Sequence, residues 1–148
     1  ISLAALTEEV FCDLDPVAEK HQVRLIQTDG DCTVTGSYIL LYRAVYNLVE
    51  NAIKYNRPSG SVTVNIHSAE SAVLEVTDTG IGISPENQEK IFDPFYRVDK
   101  SRSRAMGGAG LGLALVSEIA RQHNGQVKVT QSSKKGSTIA LMLPVTLL

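Results

Sequence analysis

Residues 39–56 read ILLYRAVYNLVENAIKYN, and the reading of this stretch as a helix decides the fold. Leu41, Ala44, Val45, Leu48, Ala52 and Ile53 recur at helical spacing and form an apolar band. Asn47, Asn51, Lys54 and Tyr55 fall at i, i+4, i+7 and i+8 and line a second stripe. Two amides, an ammonium and an aromatic ring suit a cleft that holds a metal, phosphates and a planar base better than a solvated surface.

The chain has 148 residues, enough for a single domain with a real core. A net charge of −2 provides no global attraction to nucleic acid or acidic membranes. No apolar run approaches the roughly 20 residues a bilayer span needs, and no signal peptide is visible. The chain begins at Ile1 rather than Met and is read as an excerpt of a longer protein. Cys12 and Cys32 have no metal-ligand spacing and read as buried free thiols in a reducing compartment.

Working outward, residues 3–6 read as a lead-in, and Thr7 as the cap of a helix carrying Val10, Leu14, Val17 and Ala18, with Pro16 expected to kink or break it. Residues 23–28 and 32–35 read as a hairpin around Asp29-Gly30-Asp31. Asn56-Arg57-Pro58-Ser59-Gly60 ends the central helix. Two alternating strands follow at 61–67 and 72–77, then a short helix from Ser84-Pro85-Glu86 to Ile91. Residues 92–107 show no period and read as a functional or mobile loop. A helix after Gly107-Gly108-Ala109-Gly110 ends at Asn124-Gly125, with Gly125 expected in the left-handed position. Strands at 127–131 and 137–143 close the chain around a Lys134-Lys135-Gly136 turn. Mixed strands and helices imply an α/β two-layer sandwich.

Three clusters carry chemistry: the Asn47/Asn51/Lys54/Tyr55 stripe, Asp78-x-Gly80-x-Gly82 at a strand end, and Gly108-x-Gly110-x-Gly112 at a helix start. Free N–H groups at a glycine-rich helix start form an anion site. The spacing and the preceding loop exclude a dinucleotide-binding fingerprint, and no Gly-Lys-Ser/Thr follows to make a phosphate loop. Asp78 is an acceptor able to read an exocyclic amine, and the glycines after it let a flat ligand approach the backbone.

Asn47-Leu-Val-Glu-Asn51-Ala-Ile-Lys54-Tyr55, Asp78-Thr-Gly80-Ile-Gly82-Ile83, Phe92-Asp-Pro-Phe95-Tyr96-Arg97 and Gly107-Gly108-Ala-Gly110-Leu111-Gly112, in that order, resemble the N, G1, F and G2 boxes of the catalytic, ATP-binding domain of sensor histidine kinases. The resemblance covers nearly the whole chain. It implies a Bergerat-type α/β sandwich, a mixed sheet of about five strands with helices on one face. It implies one catalytic domain over 1–148, with 1–5 the stub of a connection to an absent upstream dimerisation domain and 92–107 the ATP lid.

By the same resemblance, Asp78 accepts from the adenine amino group and Asn51 holds Mg²⁺ through the phosphates, with Asn47 beside it. Lys54 reaches the phosphates, Tyr55 lies near the base, and Gly80, Gly82, Ile83 and Phe95 belong to the nucleotide site. Gly108, Gly110, Leu111 and Gly112 form the phosphate-side end of the lid. Arg97, Arg102 and Arg104 are all candidates for the γ-phosphate. Ala109 departs from the family, which often carries Thr or Ser there. The implied cofactors are ATP and Mg²⁺. The implied partners are a histidine-bearing dimerisation domain of the same homodimeric protein and a cognate response regulator, with no nucleic acid or direct membrane contact. The implied location is the cytoplasm, with the parent anchored in a membrane by family habit.

Related ATPases carry Glu where Asn47 stands, and that Glu activates water. An amide cannot take a proton, so Asn47 points away from hydrolysis. A serine-directed anti-sigma kinase shares these boxes, but the run from Phe92 to Arg97 favours a histidine kinase. The intact boxes argue against a domain that only senses nucleotide. None of His21, His67 and His123 stands in a phosphoacceptor-like setting, so the isolated chain is expected to bind ATP without phosphorylating itself.

Overall fold

In the computed structural model, which describes residues 1–94 and 112–145, a five-stranded mixed sheet carries helices on one face. The elements run α1 (Leu3–Lys20), β1 (Arg24–Gln27), α2 (Tyr38–Lys54), β2 (Ser61–Ser68), β3 (Ala72–Asp78), α3 (Gly112–Gln122), β4 (Gln126–Ser133) and β5 (Gly136–Leu143). The strand order is β1-β2-β3-β5-β4. Strands β1 and β2 pair in parallel; the other pairs are antiparallel. Expectations placed on Phe95, Arg97, Arg102, Arg104, Gly108, Gly110 and Leu111, and on most of the 92–107 lid, lie outside the described residues.

The register explains the core. Val64 faces Val76, which faces Ile139, and Ile66 faces Leu74, which faces Leu141. Cross-strand partners share a face, and all six residues are buried. The band expected on α2 is buried residue for residue: Leu41, Ala44, Val45, Leu48, Ala52 and Ile53. It packs over β2 and β3, with α1 and α3 on either side.

Several local expectations are corrected. The 23–35 hairpin does not form. Residues 32–34 pair instead with the start of the chain: Ser2 bridges Thr33, the Leu3 N–H donates to Cys32 O at 3.0 Å, and the Val34 N–H donates to Ile1 O at 3.0 Å. Asp31 is the reason. Its carboxylate accepts from the Ala4 N–H at 2.9 Å, the Ser2 hydroxyl at 2.8 Å and the Cys32 N–H at 2.7 Å. It thereby satisfies free donors at the start of α1, and β1 is left to pair with β2.

Ser2, not Thr7, caps α1, its hydroxyl accepting from the Ala5 N–H. Thr7 is fully buried and donates to Leu3 O at 2.8 Å. Residues 3–6 are therefore helix rather than lead-in, and Leu3 and Leu6 are core. Pro16 does not break α1. It lies on the exposed face, as does Cys12 one turn earlier, so Cys12 is not the buried thiol expected, while Cys32 is buried; the carbonyl deprived of its donor is turned towards water. The expected helix at 84–91 is two 3₁₀ turns, Pro85–Asn87 and Lys90–Phe92. At the end of α3 it is Asn124 that takes the left-handed conformation, φ 60°. Gly125 is needed for proximity instead, since a Cβ there would fall 2.1 Å from Met142 O.

Burial alone would raise the Asp31 carboxyl, but the Ala4 and Cys32 N–H groups and the Ser2 hydroxyl outweigh it and hold it below the usual carboxylate value. A lowered folded-state value means stability that is present above the unfolded-state value, near 3.9, and lost as pH falls through the folded one. Asp31→Ala is expected to cost about 1 kcal/mol at neutral pH, as loss of a helix cap does. Urea melts of wild type and mutant should converge as pH falls through the Asp31 titration; a constant gap would contradict the assignment.

Candidate functional site

α2 ends where β3 ends, and that coincidence builds the site. Asn47, Asn51 and Lys54 follow one stripe of α2, and Tyr55 is its C-cap. All four are half-buried. Among the described residues the amide side chains of Asn47 and Asn51 have no hydrogen-bond partner. Lys54 pairs with Glu50 one turn earlier, Nζ to Oε1 3.7 Å. The two stand at i and i+4, acid first, the spacing at which helical side chains pair.

Asp78 is the last residue of β3. Its register partners are Val62 and Ser137, so its side chain belongs to the row that faces the helices. One carboxylate oxygen accepts from the Gly80 N–H at 2.8 Å, the other from the Ser137 hydroxyl at 2.9 Å. Burial raises the Asp78 carboxyl above the usual carboxylate value, and the Gly80 and Ser137 hydrogen bonds oppose that only partly. A carboxylate has about four acceptor positions, so the donors from Gly80 and Ser137 leave capacity for a ligand.

The three clusters converge. A Cβ on Gly80 would lie 2.3 Å from Tyr55 O, so the loop after β3 is pressed against the end of α2. A Cβ on Gly112 would make ordinary contact with Asn47 Cγ at 3.8 Å, so the first turn of α3 adjoins that amide. Gly82 sits at φ 76°, and a Cβ there would meet Ser133 O at 2.0 Å. The Ile83 N–H donates to Ser132 Oγ at 2.6 Å. Gly82 and Ile83 are thus held by the β4–β5 hairpin, while Ile81 between Gly80 and Gly82 is 48% exposed.

Sequence reasoning misses a supporting ring. Thr79 Oγ donates to Asn56 Oδ1 at 2.9 Å and accepts from the Ser61 N–H at 2.9 Å, and the Asn56 amide donates to Ser61 O at 2.8 Å. The Arg57 guanidinium donates to Gly80 O at 3.0 Å and also to Lys134 O. A breaker-rich run such as 56–60 reads as punctuation; only the closeness of three chain segments gives its side chains partners.

The histidines are accounted for. His67 Nε2 lies 3.0 Å from Glu75 Oε1. His21 caps α1. His123 Nδ1 meets Ile119 O at 2.8 Å, so it carries the proton, and Nε2 accepts from the Ser37 N–H at 3.1 Å. Both ring nitrogens of His123 are engaged with backbone.

Residues 36–147 match the family described as histidine kinase-, DNA gyrase B-, and HSP90-like ATPase. The chain is 44% identical over 141 residues to the sensor histidine kinase RppB of Synechocystis sp., covering 95% of this chain and 31% of that protein. It is 46% identical over 123 residues to the sensor-like histidine kinase SenX3 of Mycobacterium bovis, covering 80% and 30%. The chain thus spans about a third of the length of these curated relatives. The solved structure of the mycobacterial sensor histidine kinase MprB superposes with a TM-score of 0.80 at 30% identity, covering 97% of this chain and 96% of that one. The chain therefore belongs to the histidine kinase-, DNA gyrase B-, and HSP90-like ATPase family, within which it is an ATP-binding catalytic domain of the sensor-histidine-kinase type.

Proposed function

We propose that this domain binds Mg-ATP between α2, the loop after β3 and the start of α3, and passes the γ-phosphate to a histidine on a dimerisation domain of the same protein. A cognate response regulator would take the phosphate next. The observation that carries the reading is Asp78: a carboxylate held in a core-facing row, with acceptor capacity left over, beside glycines that a flat base can approach. Under this reading the domain lies in the cytoplasm as the kinase end of a membrane-anchored parent; among the described residues themselves no helix is long and apolar enough to cross a membrane.

Asp78 accepts the exocyclic amine of adenine, and Gly80 lets the base lie against the backbone, with Tyr55 nearby. The Asn51 amide oxygen is a hard donor with no protein partner among the described residues, so it suits Mg²⁺, which prefers oxygen and keeps several waters. Bound there, the ion would neutralise phosphate charge. Lys54 turns from Glu50 towards the phosphates. The lid residues Phe95, Arg97, Arg102 and Arg104, with Gly108, Gly110, Leu111 and Gly112, are proposed to close on the base and phosphates. Phosphoryl transfer asks mainly for positioning and charge neutralisation, and this set supplies both. Asn47 cannot act as a base, which disfavours water as the acceptor.

Asp78→Asn removes a buried charge but keeps the shape. The raised folded-state value of Asp78 means its stability contribution is largest below the unfolded value and is lost as pH rises through the folded one. The mutant should therefore be at least as stable as wild type at pH 7 and still fail to bind ATP in calorimetry; unchanged affinity would sink the base assignment. Separately, the chain with γ-labelled ATP should label an added histidine-bearing dimerisation domain and not itself, and Asn51→Ala should abolish labelling. Label on serine, or steady phosphate release by the chain alone, would redirect the reading.

A further inference from the structure

The turn between β4 and β5 underlies the loop after β3 almost residue by residue. Ser137 holds Asp78, Ser132 holds Ile83, and Gly82 lies against Ser133. Gly136, at φ 137°, presses on the backbone, and a Cβ there would fall 1.9 Å from Asp78 O. Gly80 is the exception. It is buried, its N–H is taken by Asp78 Oδ1, and the donor to its carbonyl comes from neither β3 nor the hairpin. It comes from Arg57, in the α2–β2 connection, whose same Nη2 also donates to Lys134 O in the hairpin turn.

We infer that Arg57 is a positioning residue for base recognition: by tying the Gly80 carbonyl to the Lys134 carbonyl, it holds the loop that aims the Asp78 carboxylate. This rests on the nucleotide reading of the site. Arg57 itself is exposed, so its stem adds little to the core, and an exposed arginine in a breaker-rich turn has water as an alternative partner. Its guanidinium instead joins two carbonyls from distant segments. With glycine at 80, no side chain resists rotation of the adjoining peptide units. Without Arg57, the Gly80 carbonyl loses its donor and the Gly80 N–H is free to leave Asp78. The carboxylate would then keep only Ser137, and its direction towards a base would blur. Phosphate-directed groups on α2 would be untouched.

The test is nucleotide preference, not affinity alone. ATP and GTP binding are measured by calorimetry on the wild-type chain, Arg57→Met and Arg57→Lys, with a thermal melt of each. Arg57→Met keeps an apolar stem and removes the donors. A charge-assisted hydrogen bond is involved, so ATP affinity should fall about tenfold while GTP affinity, carried by phosphates, changes little. The ATP-to-GTP ratio should narrow, the melt should stay cooperative, and Arg57→Lys should recover part of the ratio. A folded Arg57→Met with the wild-type ratio would overturn the inference, even if both affinities fell together. Loss of a cooperative melt would also overturn it, making Arg57 a support of the fold. A wild-type chain that binds ATP no better than GTP would instead remove the base-reading role of Asp78, and with it the reading on which Arg57 depends.

Discussion

A carboxylate in a core-facing row is the constraint from which the rest of the site follows. Beyond Asp78 along the sheet, the rows Val64–Val76–Ile139 and Ile66–Leu74–Leu141 are wholly apolar. At the last position the same row reads Val62–Asp78–Ser137. Burying a carboxylate costs free energy unless donors reach it, and burial indeed raises this one. The donors must come from backbone and neighbour: the Gly80 N–H two residues on, and Ser137 across the ladder. Both require close chain approach, which explains why Gly80, Gly82 and Gly136 are glycines where a Cβ would collide with a carbonyl. The position is poor for stability, a local conflict of the kind that functional sites tend to carry.

α2 carries the other half because it has two faces with different obligations. Its apolar band is committed to β2 and β3, which fixes its rotation. Once that is fixed, Asn47 and Asn51 must lie towards the loops rather than the sheet. Its ends are tied as well. His123, from the end of α3, accepts from Ser37 at the N-cap, and a Cβ on Gly36 would strike the His123 ring at 2.3 Å. At the other end Tyr55 lies against Gly80. α3 adjoins Asn47 at its first residue, and His123 just past its last meets the α2 N-cap, so both ends of the glycine-box helix are referenced to α2.

Periodicity makes α2, β2, β3, α3 and the closing hairpin legible, because each is long enough for its pattern to dominate. The stripe of Asn47, Asn51, Lys54 and Tyr55 is legible for the same reason. What the pattern does not carry is partner choice. Residues 32–34 have strand-like character, but whether they pair with β1 or with Ile1–Leu3 depends on Asp31 meeting the start of α1, a contact across 27 residues of sequence. Pro16 defeats a local reading because its cost depends on which face of the helix it occupies. Asn56, Arg57 and Thr79 look like a breaker run and a strand end in sequence, since their role exists only where α2, β2 and β3 converge.

The charges on α2 are lightly held. Lys54 is within 3.7 Å of Glu50, with both side chains partly exposed. Such an i, i+4 pair, acid first, is worth only about 0.3–0.5 kcal/mol. It is enough to bias an ammonium along the stripe and too little to fix it there. Glu50 therefore parks Lys54 without locking it. Asn47 completes the logic. Had a carboxylate stood there, it would add negative charge where the proposed reading puts phosphates and would give water a base. An amide contributes neither, which under the proposed reading favours nucleotide binding without handing the γ-phosphate to water.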